Sequence, residues 1–221
     1  MQTQDKYLWV VNKNQPFNEE QLQDFTFSTV RDSDGKTYIE TQTEQAYLAL
    51  REHMIENFGI ALYLTSAGRT IQTQQKVFDE YRAEHTEEET LKTVALPGTS
   101  EHHTGLALDV KPEIAHSAFI QAIIDKLPLP ERIAYLKQPD RETKKLMYQT
   151  LHQELEQFGF IVRYTQDKQD ITGVKSEPWH IRYVGVENAK AINESGLCLE
   201  EYVEQIQSQQ EAPKPVPAIA Q

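Results

Sequence analysis

Two short stretches of this sequence contain residues whose types and spacing suit metal chemistry. The first, PGTSEHHTGLALDV at residues 97–110, places His102 seven residues before Asp109. Strand-like alternation puts Asp109 on the face of the small residues Gly105 and Ala107, opposite the leucines. A carboxylate buried in an apolar strand costs several kcal/mol unless a partner compensates it. A cation is the simplest partner for Asp109.

The second stretch, EPWHIRYVG at residues 177–185, adds an acid and another histidine. Alternation along this strand puts His180 and Arg182 on one face. If His180 supplies a third ligand, Glu177 can reach a metal-bound water without itself binding the metal. Two histidines and one carboxylate with an open fourth position form a catalytic zinc arrangement. Zinc lowers the pKa of water in that position to roughly 7, and a neighbouring carboxylate takes its proton.

Other histidines offer competing interpretations. Taken alone, His102 would be read as a surface loop histidine. His102, Asp109 and His116 are also evenly spaced by seven, but this regularity has no mechanism, and EIAHSAF is typical of an ordinary helix. The histidines in other predicted helices are interpreted as surface or packing residues: His53, His85 and His152.

The composition limits the class of protein. A chain of 221 residues with 38% hydrophobic and 25% charged residues predicts a folded protein with a substantial core. The net charge of -12 argues against a nucleic-acid partner, because binding phosphates needs clustered Lys and Arg. The single cysteine, Cys198, excludes an intrachain disulfide and a cysteine-based zinc site, so histidines and carboxylates must hold any metal. No obligate protein partner is inferred.

The N-terminal region lacks the features of an export signal. Its apolar run YLWVV is short and has no basic region before it and no cleavage site after it. No run approaches the ~18 apolar residues of a spanning helix. We therefore expect a cytoplasmic protein as the sequence is written, and a location outside the cell if an N-terminal anchor is missing from it.

The periodicity of the sequence predicts an α+β fold, with a small mixed or antiparallel sheet and flanking helices. We expect one catalytic domain at residues 1–207 and a disordered, proline-rich tail at 208–221. Strands are predicted at Tyr7–Val11, KTYIET after the turn DSDG, 60–66, Gly105–Val110, GFIVRY and WHIRYVG. Helices are predicted at Thr43–Asn57, Gln72–His85, TEEETLKTV, 113–126, Lys144–Phe158 and 186–207, and a loop or hairpin turn at TQDKQDITG.

Both chemical stretches match the motifs of a known family. SEHHTGLALD fits the pattern S-x-H-x-x-G-x-A-x-D, and EPWH fits E-x-W-H. The chain thus resembles the zinc D-alanyl-D-alanine peptidases, the VanY-type carboxypeptidases and VanX-type dipeptidases, and is most similar to the VanY and bifunctional VanXY-like branch. The resemblance covers roughly residues 7–205 and includes VALPGTSEH, FGFIVRY leading into DITG, and PWHIRYVG.

This resemblance implies a fold, shared with the hedgehog signalling domain, and a set of site residues. It implies that one zinc ion is bound by His102, Asp109 and His180, and that Glu177 is the catalytic base. The family also has an S-G-Y-R-S segment, which aligns TSAGRT and its Arg69. A guanidinium there would stabilise the oxyanion or bind the substrate carboxylate. Without the resemblance, a solvated loop arginine would be preferred.

Substrate contacts are implied at two further positions. Gln74 aligns with a substrate-contacting glutamine of the carboxypeptidase branch, although an exposed polar helix residue is an equal alternative. Ser100 is expected to bind the substrate's terminal carboxylate, against the alternative of a turn or cap serine. The family's tyrosine and second serine are replaced by Gly68 and Thr70, so the pocket wall is expected to differ here from that of the family. His103 is expected at the pocket rim.

The function that the resemblance implies is hydrolysis of a C-terminal D-alanine from peptidoglycan stem peptides or their precursors. The substrate would be a small peptide ending in D-alanine. A D-Ala-D-Ala dipeptidase, a bifunctional enzyme and an L,D-carboxypeptidase remain alternatives. A non-catalytic, hedgehog-like binding module is a further one, but a binder needs neither Glu177 nor Arg69. A structural zinc site is disfavoured because only three ligands are found.

Overall fold

The computed structural model describes residues 5–115, Lys126 and residues 139–211, and it has two antiparallel sheets. β1 (Phe27–Asp32) and β2 (Gly35–Glu40) form a hairpin. A four-stranded sheet has the order β3-β4-β6-β5. Its strands are β3 (Ile60–Ser66), β4 (Ala107–Ile114), β5 (Phe160–Val162) and β6 (His180–Tyr183). The helices in the described residues surround these strands, so the α+β prediction is confirmed.

Four of the helices in the described residues begin at a residue whose side chain accepts a hydrogen bond from a backbone amide of the first turn. The Glu40 side chain caps the first helix by accepting a hydrogen bond from Thr43 N, and Thr86 and Glu89 form a capping box. The bounds are α1 Thr41–Phe58, α2 Ile71–Glu84, α3 Glu87–Thr93, α4 Arg141–Glu154, α5 Gln169–Thr172, α6 Val186–Ser195 and α7 Leu199–Glu211.

The predicted strand at Tyr7–Val11 is wrong. Lys6–Leu8 forms a single 3₁₀ turn, capped by the Asp5 side chain. The carbonyl oxygens of Tyr7 and Trp9 accept hydrogen bonds from the Arg182 guanidinium at 3.1 and 2.8 Å. A distant side chain thus binds carbonyl groups that a strand would have used for pairing.

Other boundaries also differ from the predictions. The loop predicted at 165–173 contains a 3₁₀ turn at Gln166–Lys168 and α5. The single helix predicted at 186–207 is two helices, because Gly196 adopts a φ of 65° and ends α6. α7 continues to Glu211, so residues 208–211 are helical where a disordered tail was predicted.

A helix was predicted at 113–126, but its first two residues belong to β4, which extends to Ile114. Residues 116–125 and 127–138, which include His116 and most of the predicted helix at 113–126, lie outside the described residues, as does the proline-rich end of the tail.

The apolar core lies between the four-stranded sheet and the long helices. It confirms the predicted inward face of β4, where Leu106, Leu108 and Val110 are fully buried, and α1 adds Leu50 and Met54. Leu48 of α1 and Leu146 of α4 point away from this core and are exposed. None of the helices in the described part of the chain is long and apolar enough to cross a bilayer.

Candidate metal and catalytic site

A row of polar residues crosses three adjacent strands on one face of the sheet. Asp109 of β4 lies directly opposite His180 of β6, and on its other side it pairs with Ser66 at the end of β3. Residues opposite one another in antiparallel strands project from the same face. The pairing register therefore brings the acid of the first stretch to the histidine of the second.

His102 reaches this row from the loop before β4. It lies in a 3₁₀ turn, Glu101–Thr104, that Gly105 ends with a φ of 71°. A β-carbon at Gly105 would lie 3.0 Å from Glu40 N and from the Phe27 ring, so the close approach also requires glycine. The turn places the His102 ring with its centroid 4.9 Å from that of His180.

The hydrogen bonds of the two imidazoles define which nitrogen faces the row. Nδ1 of His102 lies 2.6 Å from the Ala67 carbonyl oxygen, which can only accept, so Nδ1 holds the proton and the unprotonated Nε2 faces the row. Nε2 of His180 donates to Glu101 Oε1 at 2.9 Å, which directs its Nδ1 to Asp109 Oδ1 at 3.0 Å.

This arrangement fits a zinc ion. Donor atoms of His102, Asp109 and His180 all lie within 4.8 Å of one another, and no fourth residue joins the group within the described residues. Imidazole nitrogen and carboxylate oxygen are zinc donors, and three of them leave one position open. A site of calcium or magnesium type would be built from oxygen donors instead.

Glu177 lies beside this group without belonging to it. Its Oε2 is 3.7 Å from His180 Nδ1, and the structure gives its carboxylate no hydrogen bond within the described residues. Backbone contacts hold the residue in place, since Glu177 N donates to Tyr164 O at 3.0 Å and His152 donates to Pro178 O at 2.8 Å. Burial raises the pKa of the Glu177 carboxyl to about 7, a value suited to proton exchange near neutral pH.

Arg69 is held close to the donor atoms by four side chains. Its Nε donates to Ser66 Oγ at 2.8 Å and its Nη1 to Gln74 Oε1 at 3.0 Å. Its Nη2 lies 2.8 Å from Asp109 Oδ2 and 3.0 Å from His102 Nε2. The guanidinium is thus a fixed part of the site, and the alternative of a solvated loop arginine is wrong.

The two predicted substrate-binding residues both line the cavity at this site. Gln74 is buried, and its amide is already bonded to Arg69 Nη1 and, through Nε2, to Ala95 O at 2.8 Å. The exposed-helix alternative is therefore wrong, and the contacts show Gln74 orienting Arg69. Ser100 is buried as the cap of the 3₁₀ turn, where its Oγ accepts from His102 N. Substrate contacts by either residue stay predictions.

His103 does not lie at the pocket rim. It is buried, its Nδ1 donates to Arg69 O at 2.6 Å, and its Nε2 accepts from Gly98 N at 3.1 Å, so it ties together two loops behind the cavity. Gly68 is tightly covered by Tyr38, because a β-carbon there would lie 2.5 Å from the Tyr38 ring. A tyrosine side chain at position 68 would not fit this backbone.

Three charged residues of the site escaped the sequence analysis. Glu101, Arg163 and Arg182 are almost completely buried behind His180. Burial acts to raise the pKa of Glu101, but the guanidinium groups of Arg163 and Arg182 hold it well below its usual value. The available signal was an arginine in each of the two buried-type strands GFIVRY and WHIRYVG, which needs a buried acid as partner.

The charges around the two histidines differ. Burial and the neighbouring Arg69 lower the pKa of His102 to about 4, so its ring is neutral at neutral pH and the Nε2 lone pair can accept from Arg69 Nη2, 3.0 Å away. Burial acts to lower the pKa of His180 as well, but hydrogen bonds to Asp109 and Glu101 raise it to about 9. The two carboxylates therefore favour positive charge at the His180 side of the site.

A cavity of about 280 Å³ opens onto these residues. Its wall includes Trp179, which is 40% exposed and so belongs to the pocket wall and not to the core. An adjoining groove of about 900 Å³ shares Leu91, Lys92 and Tyr164 with this cavity. The site is therefore open to a ligand longer than the cavity itself.

Comparisons with known proteins agree with this geometry. Residues 36–186 match the VanY D-alanyl-D-alanine carboxypeptidase family. A D-alanyl-D-alanine carboxypeptidase of Enterococcus faecalis is 38% identical over 154 residues, which cover 66% of this chain and 48% of that protein. The chain spans about half the length of most of the curated relatives that it matches.

Two solved structures show the same fold. VanYB in complex with D-alanine-D-alanine has a TM-score of 0.68 and 32% identity, covering 90% of this chain and 97% of that one. A VanY mutant from a VanB-type resistance cassette, in complex with Zn(II), has a TM-score of 0.66 and 31% identity, covering 90% and 99%. The family match spans most of the strands and the whole candidate site, and these sequence and structure likenesses agree with it. The chain belongs to the VanY family of D-alanyl-D-alanine carboxypeptidases.

Proposed function

We propose that this protein is a zinc carboxypeptidase that removes the C-terminal D-alanine from peptidoglycan stem peptides or their precursors. One observation supports this most directly: two imidazoles and a carboxylate converge within 4.8 Å in an open cavity. Beside them lies the Glu177 carboxylate, 3.7 Å from His180 Nδ1 and without a hydrogen bond within the described residues. The proposal also rests on membership of the VanY family.

The ion would be held by Nε2 of His102, a carboxylate oxygen of Asp109 and Nδ1 of His180. Zinc, when bound, lowers the pKa of water and polarises a carbonyl group. The rest of the chemistry falls to side chains of this chain. The neutral His102, whose Nδ1 proton is bound to Ala67 O, presents a lone pair without first losing a proton.

Glu177 would move the proton. Its carboxylate accepts a proton from the attacking water as the water oxygen bonds to the penultimate carbonyl carbon. It then delivers this proton to the amide nitrogen as the C–N bond breaks, which releases D-alanine. Because the Glu177 carboxylate makes no hydrogen bond within the described residues, it can gain and lose a proton without breaking one of them.

Arg69 would stabilise negative charge on the carbonyl oxygen during the reaction. Ser66 and Gln74 fix two sides of its guanidinium, so only the Nη2 side faces the donor atoms. Because Nε and Nη1 are already held by the protein, the guanidinium loses little freedom when Nη2 contacts the developing charge. The same fork could bind the terminal carboxylate of the substrate, and substrate analogues lacking that carboxylate separate the two roles.

The groove favours a peptide over a free dipeptide. Lys13 and Lys175 line it, both exposed, and neither forms an ion pair within the described residues. The same groove is also lined by Glu88, Asp170 and Glu200, so its length, more than its charge, supports a longer peptide. A dipeptidase would need only the smaller cavity.

The test combines metal analysis with D-alanine release from three substrates. They are D-Ala-D-Ala, a stem pentapeptide ending in D-Ala-D-Ala, and the tetrapeptide left after the first cleavage. We expect one zinc per chain and fastest release from the pentapeptide. Fastest release from the dipeptide would favour the dipeptidase alternative. Fastest release from the tetrapeptide would favour the L,D-carboxypeptidase.

Two other results would overturn the proposal. Stoichiometric zinc without release from any of these substrates would favour the hedgehog-like binding module. A protein that binds no zinc would remove the metal site itself. A chelator-treated sample restored by added zinc is the control that separates loss of the metal from loss of the fold.

A further inference from the structure

A cluster of buried charge lies beside His180, and Glu101 is its one member that contributes to the lining of the cavity. Glu101, Arg163 and Arg182 are 1%, 2% and 0% exposed. One oxygen of Glu101, Oε2, accepts from Arg163 Nε at 2.9 Å and from Arg182 Nη1 at 3.0 Å. The other oxygen, Oε1, accepts from Nε2 of His180 at 2.9 Å. The carboxylate thus divides its oxygens between two arginines and one histidine.

Both arginines are themselves fixed by distant parts of the chain. Arg163 donates two further hydrogen bonds to Glu200 of α7, at 2.9 and 2.6 Å. Arg182 donates to the carbonyl oxygens of Tyr7 and Trp9. With every guanidinium nitrogen bonded, neither arginine can turn without breaking contacts to another element, and the Glu101 carboxylate is held in one orientation.

Stability alone does not explain this cluster. Buried ion pairs are often no more stabilising than apolar residues of similar volume, because removing the charges from water offsets their attraction. The hydrogen bond to His180 gives the cluster another role. An imidazole has two nitrogens, and the one that is hydrogen-bonded to a fixed acceptor cannot bind a metal.

We propose that Glu101 is a positioning residue: by accepting the Nε2 proton of His180, it fixes the ring so that Nδ1 faces the metal. This inference rests on the proposed zinc site. For His102, the backbone carbonyl of Ala67 performs the same task by accepting the Nδ1 proton, and no side-chain substitution removes that carbonyl. The two histidines therefore provide a comparison within one molecule, since only His180 depends on a replaceable acceptor.

The test measures zinc affinity and the histidine protons in the full chain. Glu101→Gln keeps an oxygen acceptor of the same size but removes the charge, and Glu200→Gln is the matched control, since it also removes a partner of Arg163 but does not touch His180. Competition with a chromophoric chelator should show zinc binding weakened roughly 10- to 100-fold in Glu101→Gln. We expect a change of less than about threefold in Glu200→Gln, the scale of a partly exposed pair.

Nitrogen-15 spectra of the histidine side chains show which ring nitrogen holds the proton. If Glu101 had a purely structural role, its substitution would leave these signals unchanged. In the zinc-loaded wild type, we expect a proton on Nε2 of His180 and on Nδ1 of His102. In Glu101→Gln the His180 signals should shift while those of His102 stay in place. The wild-type spectrum decides the question even if Glu101→Gln does not fold, since a His180 proton on Nδ1 would overturn the proposal.

The outcomes separate this inference from the proposed function. Equal zinc affinity in wild type and Glu101→Gln, or equal weakening by Glu200→Gln, would overturn the positioning role while the zinc carboxypeptidase stands. A wild-type protein that binds no zinc would overturn both, and that result appears before any variant is made.

Discussion

The residues proposed to hold the metal and the residue proposed to move the proton are fixed in different ways. His102, Asp109 and His180 each have hydrogen-bond partners on the protein, so their donor atoms are oriented before an ion arrives. Glu177 is fixed through its backbone and its neighbour Pro178, and its carboxylate is left without a hydrogen bond within the described residues. A ligand needs one constant direction, whereas a proton carrier needs lone pairs that are free to change partners.

Removing a metal-holding residue should have the largest effect. In His180→Ala we expect zinc affinity to fall by more than about 100-fold, since loss of a ligand exceeds the loss of its supporting partner. D-alanine release should fall to background. The wild type should unfold at a higher temperature with zinc than without it, and this difference should vanish in the variant. His85→Ala, an exposed histidine after α2, is the control that should retain both properties.

Replacing the proton carrier should separate turnover from metal content. In Glu177→Gln we expect kcat to fall by roughly 10²- to 10⁴-fold, the usual contribution of a positioned general base. Zinc per chain should stay at the wild-type value, because the carboxylate is not a ligand. The exposed Glu187 on α6 offers a control in Glu187→Gln. Lost zinc in Glu177→Gln would contradict the distinction between the two kinds of residue.

Arg69→Lys tests the cation between these two groups. A lysine keeps the charge but cannot make the four side-chain contacts of the guanidinium fork. We expect kcat to fall by about 10²-fold, as for loss of one oxyanion donor, with zinc affinity nearly unchanged. Steady-state kinetics and metal analysis check this, and Arg82→Lys on the exposed part of α2 is the control. Normal kcat with a raised KM would assign Arg69 to substrate binding instead.

The smallest effect is expected from a substitution at Gly105, in the backbone turn that positions His102, and it concerns the stability of the protein. Gly105→Ala should reduce the free energy of unfolding by about 1–3 kcal/mol, through its positive φ and its contact with Glu40 N. Gly196→Ala is the matched control, since its φ is 65° and nothing lies within 4 Å of the added carbon. Denaturant unfolding of both variants isolates the contact. Equal destabilisation would mean that the close approach at Gly105 contributes nothing.

The chemistry-bearing residues could be predicted because their signals are local. The spacing of His102 and Asp109, the strand alternation and the short step from Glu177 to His180 all fall within a few residues. Glu101 could not be predicted in the same way. Its partners Arg163 and Arg182 lie 62 and 81 residues away, and nothing near Glu101 in the chain indicates that it is buried.

The same reason explains the wrong strand at Tyr7–Val11. Its apolar residues indicate a strand by propensity, but Arg182, far along the chain, takes the carbonyl groups that a strand would pair. Local preference is a weak guide when a tertiary contact competes for the same backbone groups.

The sequence by itself determined which side chains can hold a metal and move a proton, because residue type and short-range periodicity fix their chemistry and the face on which they lie. Only the tertiary structure decided that Asp109 pairs with His180 across two strands, and that each imidazole presents a particular nitrogen. Strand register and buried hydrogen bonds join residues that are distant in the chain, and their energies depend on the completed packing around them.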